Sequence, residues 1–232
     1  MIISGLQKMT LLDYPGKVAC TVFLGGCNFR CPFCHNGELL DAGAGQIMDV
    51  TEFLQFLSKR RGLLDAVCVS GGEPTLQPDL PELLKEIRSM GYLTKLDTNG
   101  SRPQMLKELV FHGLVDYVAM DIKNSPARYG ETAGATVKLE NIEESIRFLT
   151  SGCVDYEFRT TVVSQLHDAS SVEQMGQWVY DLAKKKIDRW FVQPFVDRET
   201  VCYEGLSTPD ETQLSEFAGI LSRFSSQSAR RG

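Results

Sequence analysis

Apolar positions along this chain follow two alternating rhythms. Compact runs rich in β-branched and aromatic residues occur at 18–24, 66–69, 92–96, 115–120, 156–163 and 189–192, and predict six strands. Between and after them apolar residues recur at helical spacing: Phe53, Leu54, Phe56, Leu57; Leu80, Leu83, Leu84, Ile87; Met105, Leu106, Leu109, Val110; Leu139, Ile142, Ile146, Leu149; Val172, Met175, Val179, Leu182; and Leu214, Phe217, Leu221, Phe224. Asp49 and Glu52 stand at capping-box spacing before the first stripe. Thr208, Pro209 and Glu211 predict an N-cap, a proline at the first helical position and a capping-box glutamate for the last. Residues 1–17 read as an extended lead-in ending in a turn at Tyr14, Pro15 and Gly16.

Six strand–helix alternations predict a parallel sheet with crossover helices. Six units are too few for an eight-fold closed barrel, so the expected architecture is α/β, an open, partial (β/α)6 TIM-like barrel. No linker, repeat or low-complexity stretch divides the chain, which predicts one domain over 1–225 and a Ser-rich, disordered tail over 226–232.

Composition narrows the function classes. The 232 residues are 43% hydrophobic, enough for a core, and carry 24 basic against 30 acidic side chains, a formal charge of −6. The only basic runs are Lys184 to Lys186, read as a solvated helix end, and Arg230 with Arg231, read as a frayed terminus. Nucleic acid is therefore not the expected partner. No apolar run has the length of a membrane span, and the first residues lack a signal-peptide pattern. Seven cysteines, an odd number, suit a reducing cytoplasm. Cys20 and Cys68 lie in strand-like runs and are expected to be small buried hydrophobes, and Cys153 and Cys202 are likewise isolated.

The remaining three cysteines carry the chemistry. Cys27, Cys31 and Cys34 fall within residues 25–36, GGCNFRCPFCHN, at the spacing C-x3-C-x2-C. Three thiolates this close leave one over from any disulfide pairing, and as soft ligands they suit an iron–sulfur cluster, zinc or copper(I). An iron–sulfur cube held by three cysteines keeps one iron open to substrate. A zinc knuckle completed by His35 is the alternative, although structural zinc sites more often use two separated ligand pairs and the chain has no second C-x2-C.

Polar residues collect at predicted strand ends: Gly72 and Glu73 after the second strand, Asp97, Thr98, Asn99 and Gly100 closing the third, Asp121 and Lys123 the fourth, Gln193 and Pro194 the sixth. Parallel barrels build their active sites there. Arg159 lies inside the fifth strand, where a charge is costly unless paired, so it is expected to point inward at an anion.

The cysteine run, with Phe33 at its aromatic position, resembles the signature of the radical S-adenosylmethionine (SAM) enzymes. Asp13 to Lys17, Phe23 to Gly26 and the extension His35, Asn36 resemble the branch that activates glycyl radical enzymes, above all the activating proteins of anaerobic ribonucleoside-triphosphate reductase, then pyruvate formate-lyase activating enzymes. The resemblance implies a [4Fe-4S] cluster on Cys27, Cys31 and Cys34, and SAM contacts from Phe33, His35, Gly72, Glu73, Asp121, Lys123 and Arg159. It implies a monovalent cation at Asp97, Thr98, Ala119 and Asp121, reductive cleavage of SAM, and hydrogen abstraction from a glycine of a large partner enzyme. No further cysteine group offers a second cluster, so an outside electron donor such as flavodoxin is expected. Where pyruvate formate-lyase activating enzymes carry a SAM-contacting histidine, this chain reads Gln193, Pro194, Phe195, Val196. His112 and His167 match nothing in the pattern and are expected at the surface or in loops. A small-molecule radical SAM enzyme, of the kind represented by 7-carboxy-7-deazaguanine synthases, is the alternative enzyme class.

Overall fold

A computed structural model describes residues 1–41, 45–201 and 203–230. The readings made for Cys202 and for residues 231–232 lie outside the described residues. In chain order the elements are β1 (Ile3–Thr10), β2 (Ala19–Leu24), α1 (Val50–Ser58), β3 (Ala66–Gly71), α2 (Leu80–Ser89), β4 (Leu93–Thr98), α3 (Pro103–Phe111), β5 (Tyr117–Asp121), α4 (Tyr129–Ala133), α5 (Leu139–Thr150), β6 (Asp155–Val162), α6 (Ala169–Ala183), β7 (Ile187–Pro194), α7 (Glu211–Ser222) and β8 (Ser225–Arg230). Within the first unit the strand order is β1-β2-β3-β4, and within the second β6-β7-β8. Pairing is antiparallel for β1 with β2, and parallel for β2 with β3, β3 with β4, β6 with β7 and β7 with β8.

All six expected strands and all six expected helices are present. Two strands escaped the pattern. β1 is a half-exposed edge strand interrupted by Gly5, so it lacks a clean period of two. β8, SSQSAR, carries no large apolar residue; its main-chain pairing with β7 stands where disorder was expected for 226–230. The last helix also begins later than expected. Asp210, not Thr208, is its N-cap, in a reciprocal box with Gln213, while the Thr208 hydroxyl donates to the Phe195 carbonyl at 2.5 Å. The Asp49–Glu52 box forms as expected.

The described residues fall into two compact units, Met1–Asn28, Glu38–Thr98 and Gln104–Val118, and then Phe29–Gly37, Asn99–Pro103 and Ala119–Gly232. In the first unit, β2, β3 and β4 carry Cys20, Val22, Leu24, Val67, Val69 and Leu96, and α1 and α2 bury Phe53, Leu57, Leu80, Leu84 and Ile87. Each such side chain contributes roughly 1.5–3 kcal/mol on burial. The alternate positions of the same strands, Phe23 and Leu93 aside, are smaller or polar. Thr21 lies opposite Cys68, which lies opposite Lys95, and Phe23 lies opposite Ser70. Cys20 and Cys68 are fully buried, and burial pushes the Cys20 thiol up to about 12.

In the second unit β6 and β7 bring Phe158 edge-on to Trp190, with ring centroids 5.9 Å apart, and the Trp190 indole donates to Thr160 Oγ1 at 3.0 Å. Gly176 of α6 has no room for a Cβ, because the Phe224 ring would lie 2.3 Å from it. Among the described residues no helix is long and apolar enough to cross a membrane.

Candidate active site

Within the first unit β2 ends at Leu24, β3 at Gly71 and β4 at Thr98. β3 ends at Gly71 with φ +120°, a conformation that favours glycine, and a Cβ there would lie 2.3 Å from the Leu24 carbonyl oxygen. At Gly72 a Cβ would lie 2.2 Å from the Gly26 oxygen and 3.2 Å from Cys27 Cβ. Two turns therefore touch by backbone alone at the start of the cysteine run, and the Glu73 amide donates to the Gly26 carbonyl at 2.8 Å. The amides of Gly26 and Cys27 in turn donate to Leu39 and Leu40.

Glu73 is 1% exposed. Its Oε1 accepts from the Thr75 amide at 3.1 Å, the Thr75 hydroxyl, and Thr98 Oγ1 at 2.7 Å. At this oxygen the carboxylate braces the chain. Asp97 accepts from Ser70 Oγ at Oδ2 (3.1 Å) and from Lys95 Nζ at Oδ1 (2.5 Å). Lys95 was not singled out by the sequence reading, and its side chain is 1% exposed.

Within the second unit lie Cys31, Cys34, Asp121 at the end of β5 and Arg159 inside β6. Asp121 is clamped by two cations, Lys123 Nζ at Oδ2 (3.0 Å) and Arg159 Nε at Oδ1 (3.1 Å). The anion facing Arg159 is thus Asp121. The Lys123 ammonium lies 5.9 Å from the Phe33 ring centroid. Burial opposes its charge, but Asp121, then Cys31, hold it firmly protonated. The Cys31 thiol is pushed up by burial, drawn down by Lys123, and pushed up again by Cys34 and Asp121. A buried thiol beside a fixed ammonium suits a ligand that needs a thiolate, since a coordinated thiol is deprotonated outright. The Cys34 amide donates to the Cys31 carbonyl at 3.1 Å, closing the turn that presents both sulfurs. These donors fit an iron–sulfur cluster. Among the described residues no three His, Cys, Asp or Glu side chains gather on one ion-sized position.

His35 packs on Phe195, ring centroids 5.8 Å apart and 30° between planes, and its carbonyl accepts from Thr200 Oγ1 at 2.6 Å. Its Nε2 is shielded from solvent without a hydrogen-bond partner, which is unusual for a buried polar atom. Burial, then Arg198, lower its pKa. The stretch that lacks the expected histidine after the sixth strand is therefore met by a histidine from the cysteine loop.

His167, expected at the surface, is 2% exposed. Its Nδ1 accepts from the Val163 amide at 3.1 Å, so its Nε2 carries the proton and donates to the Lys123 carbonyl at 2.9 Å. Asn124 Nδ2 donates to the Leu166 carbonyl (2.8 Å) and to Thr132 Oγ1 (2.9 Å). The loop after β6 thus holds the segment after β5 by its main chain, a role sequence spacing does not reveal. His112, by contrast, is exposed, as expected. Ala119 is fully buried within β5. Both aspartates expected at a free cation already bind side-chain cations, Lys95 at Asp97 and Lys123 with Arg159 at Asp121.

Three comparisons bear on this arrangement. The radical SAM superfamily matches residues 21–163. A protein of Methanocaldococcus jannaschii named as a glycyl-radical enzyme activating enzyme is 32% identical over 230 residues, 96% of this chain and 92% of its own length. A pyruvate formate-lyase-activating enzyme of Clostridium pasteurianum is 34% identical over 127 residues, 53% of this chain and 52% of its own. Among solved structures, a domain of a pyruvate-formate lyase-activating enzyme from Bacteroides vulgatus superposes with a TM-score of 0.58 at 19% identity, covering 72% of this chain and 99% of that one. The fold is the expected partial barrel.

Proposed function

The chain belongs to the radical SAM superfamily, in the branch that activates glycyl radical enzymes, and from that premise we propose that it places a glycyl radical on anaerobic ribonucleoside-triphosphate reductase. It is an enzyme, a SAM-cleaving oxidoreductase. The observation that carries the reading is the cysteine run itself, three thiols at C-x3-C-x2-C in a chain matching a named activating enzyme over 96% of its length.

In this reading Cys27, Cys31 and Cys34 hold a [4Fe-4S] cluster. When bound, the cluster supplies the electron for reductive cleavage of SAM to methionine and a 5′-deoxyadenosyl radical. The chain's own residues bind and orient. By the resemblance, Gly72 and the buried Glu73 would meet the SAM amino group. Lys123 and Arg159, fixed by Asp121, meet its carboxylate. Phe33 and the His35–Phe195 pair offer apolar faces and one unsatisfied ring nitrogen for the adenine. The electron comes from an outside donor such as flavodoxin.

The test is isotopic. The reductase subunit carries deuterium in its target glycine and is incubated anaerobically with the cluster-loaded enzyme, SAM and a reductant. Deuterium in the 5′-deoxyadenosine and a glycyl radical signal are expected. SAM cleavage without label or signal with the reductase, but with both on a pyruvate formate-lyase, moves the assignment to that partner. Cleavage coupled only to a small metabolite ends the activase reading.

A further inference from the structure

The sequence resemblance implies a free monovalent cation at Asp97, yet the structure holds Lys95 there. Lys95 is on β4, two residues before Asp97 and therefore on the same face of the strand. Its register partner is Cys68, whose own partner is Thr21. Thr21 Oγ1 donates to Asp13 Oδ2 at 2.5 Å. The charges of Lys95, Asp97 and Asp13 all act on the Cys68 thiol, after burial itself, so these groups form one polar seam within the first unit. Lys95 is the cation in this seam, and its side chain is 1% exposed.

An isolated buried ammonium is strongly disfavoured, and Asp97 gives this one a charged partner. The carboxylate gains equally. Oδ1 takes the ammonium at 2.5 Å and Oδ2 takes the Ser70 hydroxyl at 3.1 Å. A second cation on the same oxygen would stand at contact distance from the ammonium, where like charges repel strongly and solvent screening is weak.

We propose that Lys95 is the resident cation of Asp97: a positioning residue whose ammonium supplies, from within the chain, the positive charge that a free monovalent ion would otherwise bring. The ion pair fixes the carboxylate at the end of β4, and through Ser70 it ties that end to β3. The pair stands on its own geometry, while its consequence for SAM binding rests on the proposed function.

The test uses the full chain, purified anaerobically with its cluster, in tetramethylammonium chloride, an ion too large for such a site, against potassium or sodium chloride at equal ionic strength. Two readouts are followed: the thermal unfolding midpoint without SAM, and SAM affinity by calorimetry. Wild type is expected to be indifferent to the exchange, within about twofold in affinity. Lys95→Met is expected to bind SAM about tenfold or more weakly in tetramethylammonium, and to recover, with a raised midpoint, in potassium, sodium or ammonium. Lys95→Ala is expected to be rescued by methylammonium or ethylammonium. A merely structural lysine would not show rescue by small cations.

Wild-type affinity or midpoint that rises markedly with potassium or sodium overturns the proposal, because Asp97 then recruits a free ion despite Lys95. A Lys95→Met protein indifferent to cations in both readouts overturns it as well. Should Lys95→Met not fold in any salt, the wild-type titration still decides. Wild type that binds no SAM in any salt sinks the SAM-binding reading instead, and leaves the midpoints to judge the ion pair.

Discussion

Thr98 Oγ1 donates to Glu73 Oε1 across 2.7 Å, joining the end of one parallel strand to the turn that follows its neighbour. With Ser70 Oγ on Asp97 Oδ2, it makes two side-chain rungs that continue the sheet beyond its main-chain ladder. The glycine-rich turn is thereby held from below by a buried carboxylate. Thr98→Val keeps the shape and removes the donor to a charged acceptor, which is expected to cost about 1.5–3 kcal/mol in denaturant unfolding. A loss under half a kcal/mol, on the order of a surface change, would show the rung to be idle.

Asp121 stands between Lys123 and Arg159, at 3.0 and 3.1 Å. Removing either cation leaves the other. Lys123→Met and Arg159→Met are each expected to weaken SAM binding about 10- to 100-fold, corresponding to one charged hydrogen bond. Asp121→Asn, which releases both cations together, is expected to lose at least as much. Calorimetry on the anaerobic protein measures all three.

Cys31 and Cys153 provide a contrast. Cys31 is buried beside Lys123, whereas Cys153 is exposed. Cys31→Ser is expected to yield protein lacking its brown colour and most of its iron, with SAM cleavage abolished. Cys153→Ser is expected to retain both. Iron analysis and the visible spectrum suffice to decide.

His167 gives the fold a sensitivity to acid. Burial, the larger effect, lowers its pKa below the ordinary 6.5 despite the carbonyls that favour its charge. Protonation would place a second N–H against the Val163 amide that Nδ1 accepts from. Its stabilising contribution is therefore complete above pH 6.5 and lost as pH falls through the lower folded value. His167→Gln, which can both accept and donate, is expected to flatten this part of the stability–pH profile. His167→Phe is expected to cost about 1–3 kcal/mol at neutral pH for the buried amide left unpaired. Thermal melts from pH 8 to pH 5 provide the comparison.

Much of this was legible in residue patterns, and the remainder has physical reasons. Strands such as Ala66–Gly71 and Ala19–Leu24 are buried on both faces and announce themselves as apolar runs. β1 and β8 do not, since an edge strand with one face in water needs no such run. Arg159 is legible as a charge inside a strand; Lys95 carries the same signal in β4, masked by the adjacent Asp-Thr-Asn-Gly motif. His167 offered no signal, because its partners are main-chain atoms at 163 and 123, and main-chain partners leave no trace in side-chain spacing. The late start of α7 came from two acceptable caps two residues apart, decided in favour of Asp210 once Thr208 had found the Phe195 carbonyl.

Gly72→Ala would force a methyl to within 2.2 Å of the Gly26 oxygen, a backbone atom with no rotamer to turn aside. Where side chains meet, a misfit on one partner can be absorbed by trimming the other; here both are already stripped to hydrogen, and no compensating replacement exists. The first sulfur of the triplet is thus aligned by the path of the main chain itself, and a designer wishing to retune this protein must leave that crossing alone and work at its periphery.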